Sequence, residues 1–296
     1  MWISEQNSNF RVFMIWSNQT IAPALSAGPP NMLDTYSGAT RVIFIVGDPI
    51  AQVKAPAGVT RLLRDRGADA VVVPAHVRPA DLAAFVATAA RMPNVDGIIA
   101  TVPHKFGMAA LCDDATPAAR SIGAVNVARR RPGGSWFGDM CDGHAYTAGL
   151  RKLGFDPRGR RALVVGAGGA GSAIAHALVD AGVSALSLHD LDAGRREVLA
   201  GKLRAYGPLQ PGLGSADPSG YDLVINATPM GMAAGDALPI DLDRLTPSIY
   251  VGDVITVPAV TPLIAAARAR GCGAMTGTQM FEAVGTRIAD FYLDVA

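Results

Sequence analysis

From residue 40 onward, short apolar, β-branched runs alternate with segments of helical period, and this alternation restricts the chain to few folds. RVIFIV (41–46) reads as a buried strand, residues 56–66 as a helix, DAVVVPA (69–75) as a strand, residues 79–92 as a helix and DGIIATV (96–102) as a strand. KFGMAALC (105–112) reads as a short helix, GAVNVARR and SWFGDM as a two-stranded excursion, and HAYTAGLRKLG (144–154) as a helix able to link two domains. A second series follows: strand RALVVG, helix GSAIAHALVDAG, strand ALSLHD, helix AGRREVLAGKLRAYG, strands DLVINAT and IYVGDVI, helix PLIAAARARG and helix TQMFEAVGTRIADFYL. Strands that alternate with helices in this way form parallel sheets covered by helices, so the predicted class is α/β. With 296 residues, half of them apolar, the chain can bury one large or two medium cores.

Charge and cysteine content exclude several classes of partner. A net charge of +1 gives no reason to expect nucleic acid or a charged membrane surface. No run reaches the roughly 18 apolar residues of a membrane span. Cys112, Cys141 and Cys272 lack metal-ligand spacing, so no metal is expected, and the sparse, odd set fits a reducing cytoplasm. Residues 1–38 read as an extension outside the fold, polar before apolar and unlike a signal peptide, with Met14 and Met32 as alternative starts.

VVGAGGAGSA sets Gly166, Gly168 and Gly171 in a G-x-G-x-x-G pattern, with Gly169 and Ala170 between, directly after a strand and opening a helix. Glycine lets such a turn approach a pyrophosphate, whose charge then sits at the helix N-terminus. In an alanine-rich chain the pattern alone also describes a tight strand–helix turn. The next strand ends in His189–Asp190, and an acid there accepts hydrogen bonds from the adenosine ribose of NAD and repels the extra phosphate of NADP. Arg195 and Arg196 lie a helical turn further on, so the cofactor expected is NAD, with NADP as the alternative.

Lys105, in ATVPHK, and Asp142, in GDMCDG, each stand at the end of an extended run beside a helix start, where parallel sheets bind ligands. Taken alone, Lys105 reads as a solvated lysine and Asp142 as a helix N-cap, and spacing does not pair them. His76, His176 and His189 fall in strand or helix patterns and read as packing or surface residues. His104 and His144 neighbour the proposed site, again with structural roles favoured, and Met230 and Met232 read as packing.

In order, GDPI, TVPHK, GAVN, GDMCDG, VVGAGGAGSA, NATPMGM, TPLI and GAMTGTQ resemble the motifs of shikimate and quinate dehydrogenases across residues 41–296. The resemblance implies a two-domain α/β protein, an N-terminal α/β substrate domain plus a Rossmann-type doubly wound parallel sheet. It assigns 39–143 and 278–296 to substrate and 144–277 to the dinucleotide. It implies Lys105 as catalytic lysine and Asp142 as its partner, with Thr101, Asn126 and Gln279 as substrate hydrogen-bonders. Thr228 and Val254 match positions near the nicotinamide. The implied reaction is reversible hydride transfer between NAD(P) and a ring secondary alcohol of a cyclic hydroxy acid or polyol, as in aromatic amino acid biosynthesis. A homodimer is left open. A non-catalytic NAD-binding paralogue and a methylenetetrahydrofolate-type dehydrogenase are the alternatives weighed; the retained site residues argue against the first, and NATPMGM and GAVN against the second.

One segment departs from the family. Where relatives carry H-S-x-S-P, with two serines for the substrate carboxylate, this chain has Gln52, Val53, Lys54, Ala55 and Pro56. Ile99 replaces a usual asparagine, Thr256 a common tyrosine, and N-T-D-G has become Met140–Cys141–Asp142–Gly143. The resemblance therefore implies a kept catalytic pair, a changed pocket wall at Val53 and Ala55, and poor use of shikimate and quinate.

Overall fold

The computed structural model describes residues 36–294, so nearly all of the expected extension lies outside the described residues. The first series runs β1 (Arg41–Gly47), α1 (Ala55–Asp65), β2 (Ala70–His76), α2 (Leu82–Ala90), β3 (Val95–Ala100), α3 (Lys105–Leu111), β4 (Asp114–Ala115), α4 (Pro117–Ile122), β5 (Val127–Arg130), β6 (Trp136–Asp139) and α5 (Asp142–Lys152). The second runs β7 (Arg161–Val165), α6 (Gly169–Asp180), β8 (Ala185–His189), α7 (Ala193–Tyr206), β9 (Gly212–Leu213), β10 (Leu223–Asn226), β11 (Tyr250–Asp253), α8 (Pro262–Ala269), β12 (Ala274–Met275) and α9 (Gly277–Tyr292).

Two six-stranded sheets result. The first has the order β2-β1-β3-β5-β6-β4 and is mixed, because β5 pairs antiparallel with β3 and with β6. The second, β12-β11-β10-β7-β8-β9, is parallel throughout and has the strand order of a dinucleotide-binding sheet. Its central strands β7 and β10 are buried along almost their whole length, which is why they read as unbroken apolar runs. The order reverses between β7 and β10, and a crevice opens at such a reversal beyond the strands' carboxyl ends.

Helices fix how the sheets meet. In α1, Ala55, Val59 and Leu63 are buried at four-residue spacing. α9 opens with a capping box, Thr276 accepting from the backbone of Gln279 and Gln279 reaching back to Thr276. It then packs against α1, α5 and β5. Contact with α1 is close at Gly58, where a Cβ would stand 2.8 Å from the Phe281 ring. One apolar cluster runs through both sheets, from Ile43 and Ile99 through Ala145, Tyr146 and Leu150 of α5 to Val164 and Ile225.

The short elements β4, α4, β9 and β12 have no counterpart in the sequence reading, and the helix expected from 144 begins at Asp142. Two-residue strands carry no period; only register with a neighbour defines them.

Candidate active site

β3 ends at Ala100, and the chain passes through Thr101 to His104 into α3, whose first residue is Lys105. Three bonds make this a rigid mount. Thr101 N donates to Val46 O at 2.9 Å, Val125 N to Lys105 O at 2.9 Å, and the buried His104 ring contacts Val77 O at 2.7 Å. The last settles His104 as a structural residue.

Lys105 Nζ ion-pairs with Asp142 Oδ2, and the two side chains are only 13% and 7% exposed. Asn126 Nδ2 donates to the other oxygen, Asp142 Oδ1, at 2.7 Å, while its own Oδ1 accepts from Cys141 N at 2.8 Å. Asp142 is the first residue of α5 and caps nothing; its carboxylate serves the lysine and the asparagine instead. A buried pair of this kind is tolerated because both oxygens are satisfied, and removing either partner would strand a charge. Cys141, although adjacent, is no nucleophile: burial and the nearby Asp139 and Asp142 carboxylates push its thiol well up.

These groups border a cavity of about 200 Å³. Thr101, Lys105, Asn126, Asp142, Gln52, Lys54 and Thr256 supply polar groups, and the remaining wall is hydrocarbon, including Ile45, Val53, Ala55, Ile99 and Val254. α9 contributes Phe281, Val284 and Ile288. Gln279, expected to bind substrate, is not among the lining residues; its Oε1 is engaged by Thr276 in the capping box. A larger open depression, about 420 Å³, lies by α2 and the β5–β6 loop near Trp136. It holds no acid–base pair and lies apart from the chemistry.

The glycine turn follows β7. Gly166 has φ +106° and lies so close to Ala227 that a Cβ would stand 2.8 Å from its carbonyl carbon. Gly171 is pressed against Gly166 O, while Gly168, the N-cap of α6, has open space where a Cβ would be. Asp190 folds back on this turn, accepting from Ala167 N at 2.6 Å and from Asp192 N at 2.8 Å. Each carboxylate oxygen keeps a second lone pair for a ribose hydroxyl. The open α6 N-terminus at Gly168, with Gly169 and Ala170 following, and Asp190 beside it fit a dinucleotide. Arg195 is turned to Asp192, with Nε 3.4 Å from Oδ2, and Arg196 to Glu197.

Thr228 and Val254 are held by a buried network absent from the sequence reading. Asn226 and Asp253 are register partners in β10 and β11. Asn226 Oδ1 accepts from Thr228 Oγ1 at 2.6 Å, and Asn226 Nδ2 donates to Asp253 Oδ1 at 3.2 Å. Thr261 Oγ1 donates to Asp253 Oδ2 at 2.6 Å and Ile255 N to Asp253 Oδ1 at 3.0 Å. Burial raises the Asp253 carboxyl, opposed by these hydrogen bonds. An acid closing an apolar strand was the available signal.

Three other histidines have partners away from the cavity: His76 contacts Asp48, His144 contacts Asp180, and buried His176 contacts Ser121. Among the described residues no His/Cys/Asp/Glu group could hold a metal ion, and no helix is long and apolar enough to cross a membrane.

Comparison with known proteins agrees with this geometry. The family model for the shikimate dehydrogenase substrate binding domain matches residues 45–128. The NADP(+) shikimate dehydrogenase of Acidiphilium cryptum is 39% identical over 248 residues, covering 82% of this chain and 87% of that protein. The ligand-free crystal structure of 5-ketofructose reductase from Gluconobacter sp. strain CHM43 superposes with a TM-score of 0.76 at 30% identity, covering 86% and 93% of the two chains. Quinate dehydrogenase from Corynebacterium glutamicum in complex with NAD gives 0.78 at 28%, covering 86% and 94%. The relatives do not favour the folate-type or non-catalytic alternatives. With the Lys105–Asp142 pair beside a dinucleotide turn and relatives of this identity along most of its length, the chain belongs to the shikimate dehydrogenase family and is an NAD(P)-dependent oxidoreductase of that type.

Proposed function

We propose that this protein reversibly interconverts a ring secondary alcohol and the corresponding ketone of a small cyclic hydroxy acid or polyol. The observation that carries the reading is the Lys105–Asp142–Asn126 chain bordering a cavity, with the glycine turn against the lysine side chain. The nicotinamide, when bound, supplies or accepts the hydride. In the oxidation, Lys105 Nζ takes the hydroxyl proton; in the reduction it returns that proton to the carbonyl oxygen. Asp142 aims the amine and accepts from a second substrate hydroxyl, and Asn126 holds Asp142. Positioned proton transfer contributes about a hundred- to ten-thousand-fold. Thr101 offers a further hydroxyl at the cavity edge.

In this reading, residues 39–143 and 278–296 form the substrate domain and 144–277 the dinucleotide domain. Asp190 makes NAD the preferred cofactor, although the Acidiphilium relative bears an NADP(+) name. Free thiols at Cys112, Cys141 and Cys272 support a cytoplasmic location. The test is absorbance of reduced nicotinamide with NAD and NADP against a panel of cyclic hydroxy acids, polyols and their ketones. Turnover lost in Lys105→Ala supports the assignment; no turnover with any compound and either cofactor refutes it.

A further inference from the structure

Resting on that reading, we infer that the substrate of this site carries no carboxylate: it is an uncharged polyhydroxylated ketone and its secondary alcohol. The first ground is the charge inside the cavity. Lys105 is cancelled by Asp142, to which it is bonded, and no arginine lines the wall. A second anion entering this space would meet the Asp142 carboxylate, and the one cation on the wall not already bonded to a carboxylate is Lys54.

The second ground is the wall itself. Ile45, Val53, Ala55, Ile99, Val284 and Ile288 present hydrocarbon, and a carboxylate laid against them would lose hydration without replacement. The polar residues of the segment at α1 are already engaged or scarce. Gln52 Nε2 donates to Pro49 O at 2.9 Å, Val53 N to Ile50 O at 3.2 Å, and Pro56 in the first turn of α1 has no N–H. Lys54 is a single half-buried ammonium between Val53 and Ala55, without the paired donors that fix a carboxylate.

The third ground is what the cavity satisfies well. Asp142 accepts hydroxyls, the Thr101 and Thr256 hydroxyls both donate and accept, and the hydrocarbon wall covers the C–H face of a polyol ring. All of these contacts suit a neutral molecule.

A matched pair that differs only in charge tests this: shikimate and its amide, with the full chain and oxidised cofactor. Both kcat/KM and the calorimetric Kd are measured, alongside neutral cyclic polyols. The amide is expected to be favoured over the carboxylate by tenfold or more. Restoring hydroxyls with Val53→Ser plus Ala55→Ser should move the ratio toward the carboxylate by on the order of a hundredfold, two charge-assisted hydrogen bonds. The near-isosteric Val53→Thr should move it in the same direction if the double variant folds poorly. Preference of the parent for shikimate, with that preference lost in Lys54→Ala, overturns the inference and makes Lys54 the anchor. Failure of the amide and of every neutral polyol to bind at millimolar concentration overturns it too. If nothing turns over but the Kd ratio favours the amide, hydride transfer falls and the inference stands.

Discussion

Gly169, the first residue of α6, lies directly against Lys105, the proposed catalytic lysine: a Cβ built on it would stand 2.9 Å from Lys105 Cδ. The glycine turn and the lysine side chain are thus in contact, although they belong to the segments after different sheets' strands. Gly169→Ala should displace a lysine already tied to Asp142, lowering kcat about tenfold or more, the scale of 1.4 kcal/mol, with little change in melting temperature. Gly168→Ala, where a Cβ meets nothing within 4 Å, is the control for folding. Equal kcat for parent and Gly169→Ala would show that the lysine moves freely.

Lys105→Ala and Asp142→Asn should each reduce kcat by about a hundredfold or more while leaving the Kd for NAD nearly intact. Both residues border the cavity, and Lys105 meets the α6 N-terminus only through its hydrocarbon stem at Gly169. Lys105→Ala should also leave a buried carboxylate unpaired, costing about 3–5 kcal/mol of stability. The measurements are calorimetric NAD titration, kcat and urea unfolding on the same preparations.

Asp190→Ala should raise KM for NAD more than KM for NADP. On the proposed reading the carboxylate that braces Ala167 N would also serve the ribose, and its removal would eliminate repulsion toward the 2′-phosphate. Comparing kcat/KM for both cofactors in parent and variant decides this; a parent that uses NADP as well as NAD would contradict it.

His176 makes stability pH-dependent. Burial lowers its pKa below the ordinary 6.5, and its Nδ1 has no partner. The unfolded chain then binds the proton first, so stability present above about pH 6.5 is lost as pH falls below it, by up to about 1.4 kcal/mol per pH unit. Urea midpoints at pH 7.5 and 5.5 should fall less in His176→Gln than in the parent. An identical fall in both would place the titrating group elsewhere.

The layout was readable where burial imposed it. β7 and β10 are apolar because both their faces are covered, and Gly166 and Gly171 are glycine because backbone presses on them. The antiparallel β5–β6 pair was visible as two runs around a Pro-Gly-Gly loop. What could not be read was adjacency. Lys105 and Asp142 meet across 37 residues, and family resemblance, not spacing, had brought them together. The Asn226–Asp253 link depends on β10 lying beside β11 in one register, which no local pattern reports. Gln279 shows two signals at one residue: the motif match suggests a ligand contact, while the local rule, Thr-x-x-Gln at a helix start, describes where its Oε1 goes.

The helix α9 has a consequence for the chain as it is made. Phe281, Val284 and Ile288 close the cavity, yet the ribosome adds them after both sheets have been synthesised. All strands of the second sheet, and the glycine turn after β7, therefore precede in synthesis the helix that completes the cavity wall. The wall is complete only once this helix has docked on α1 and α5.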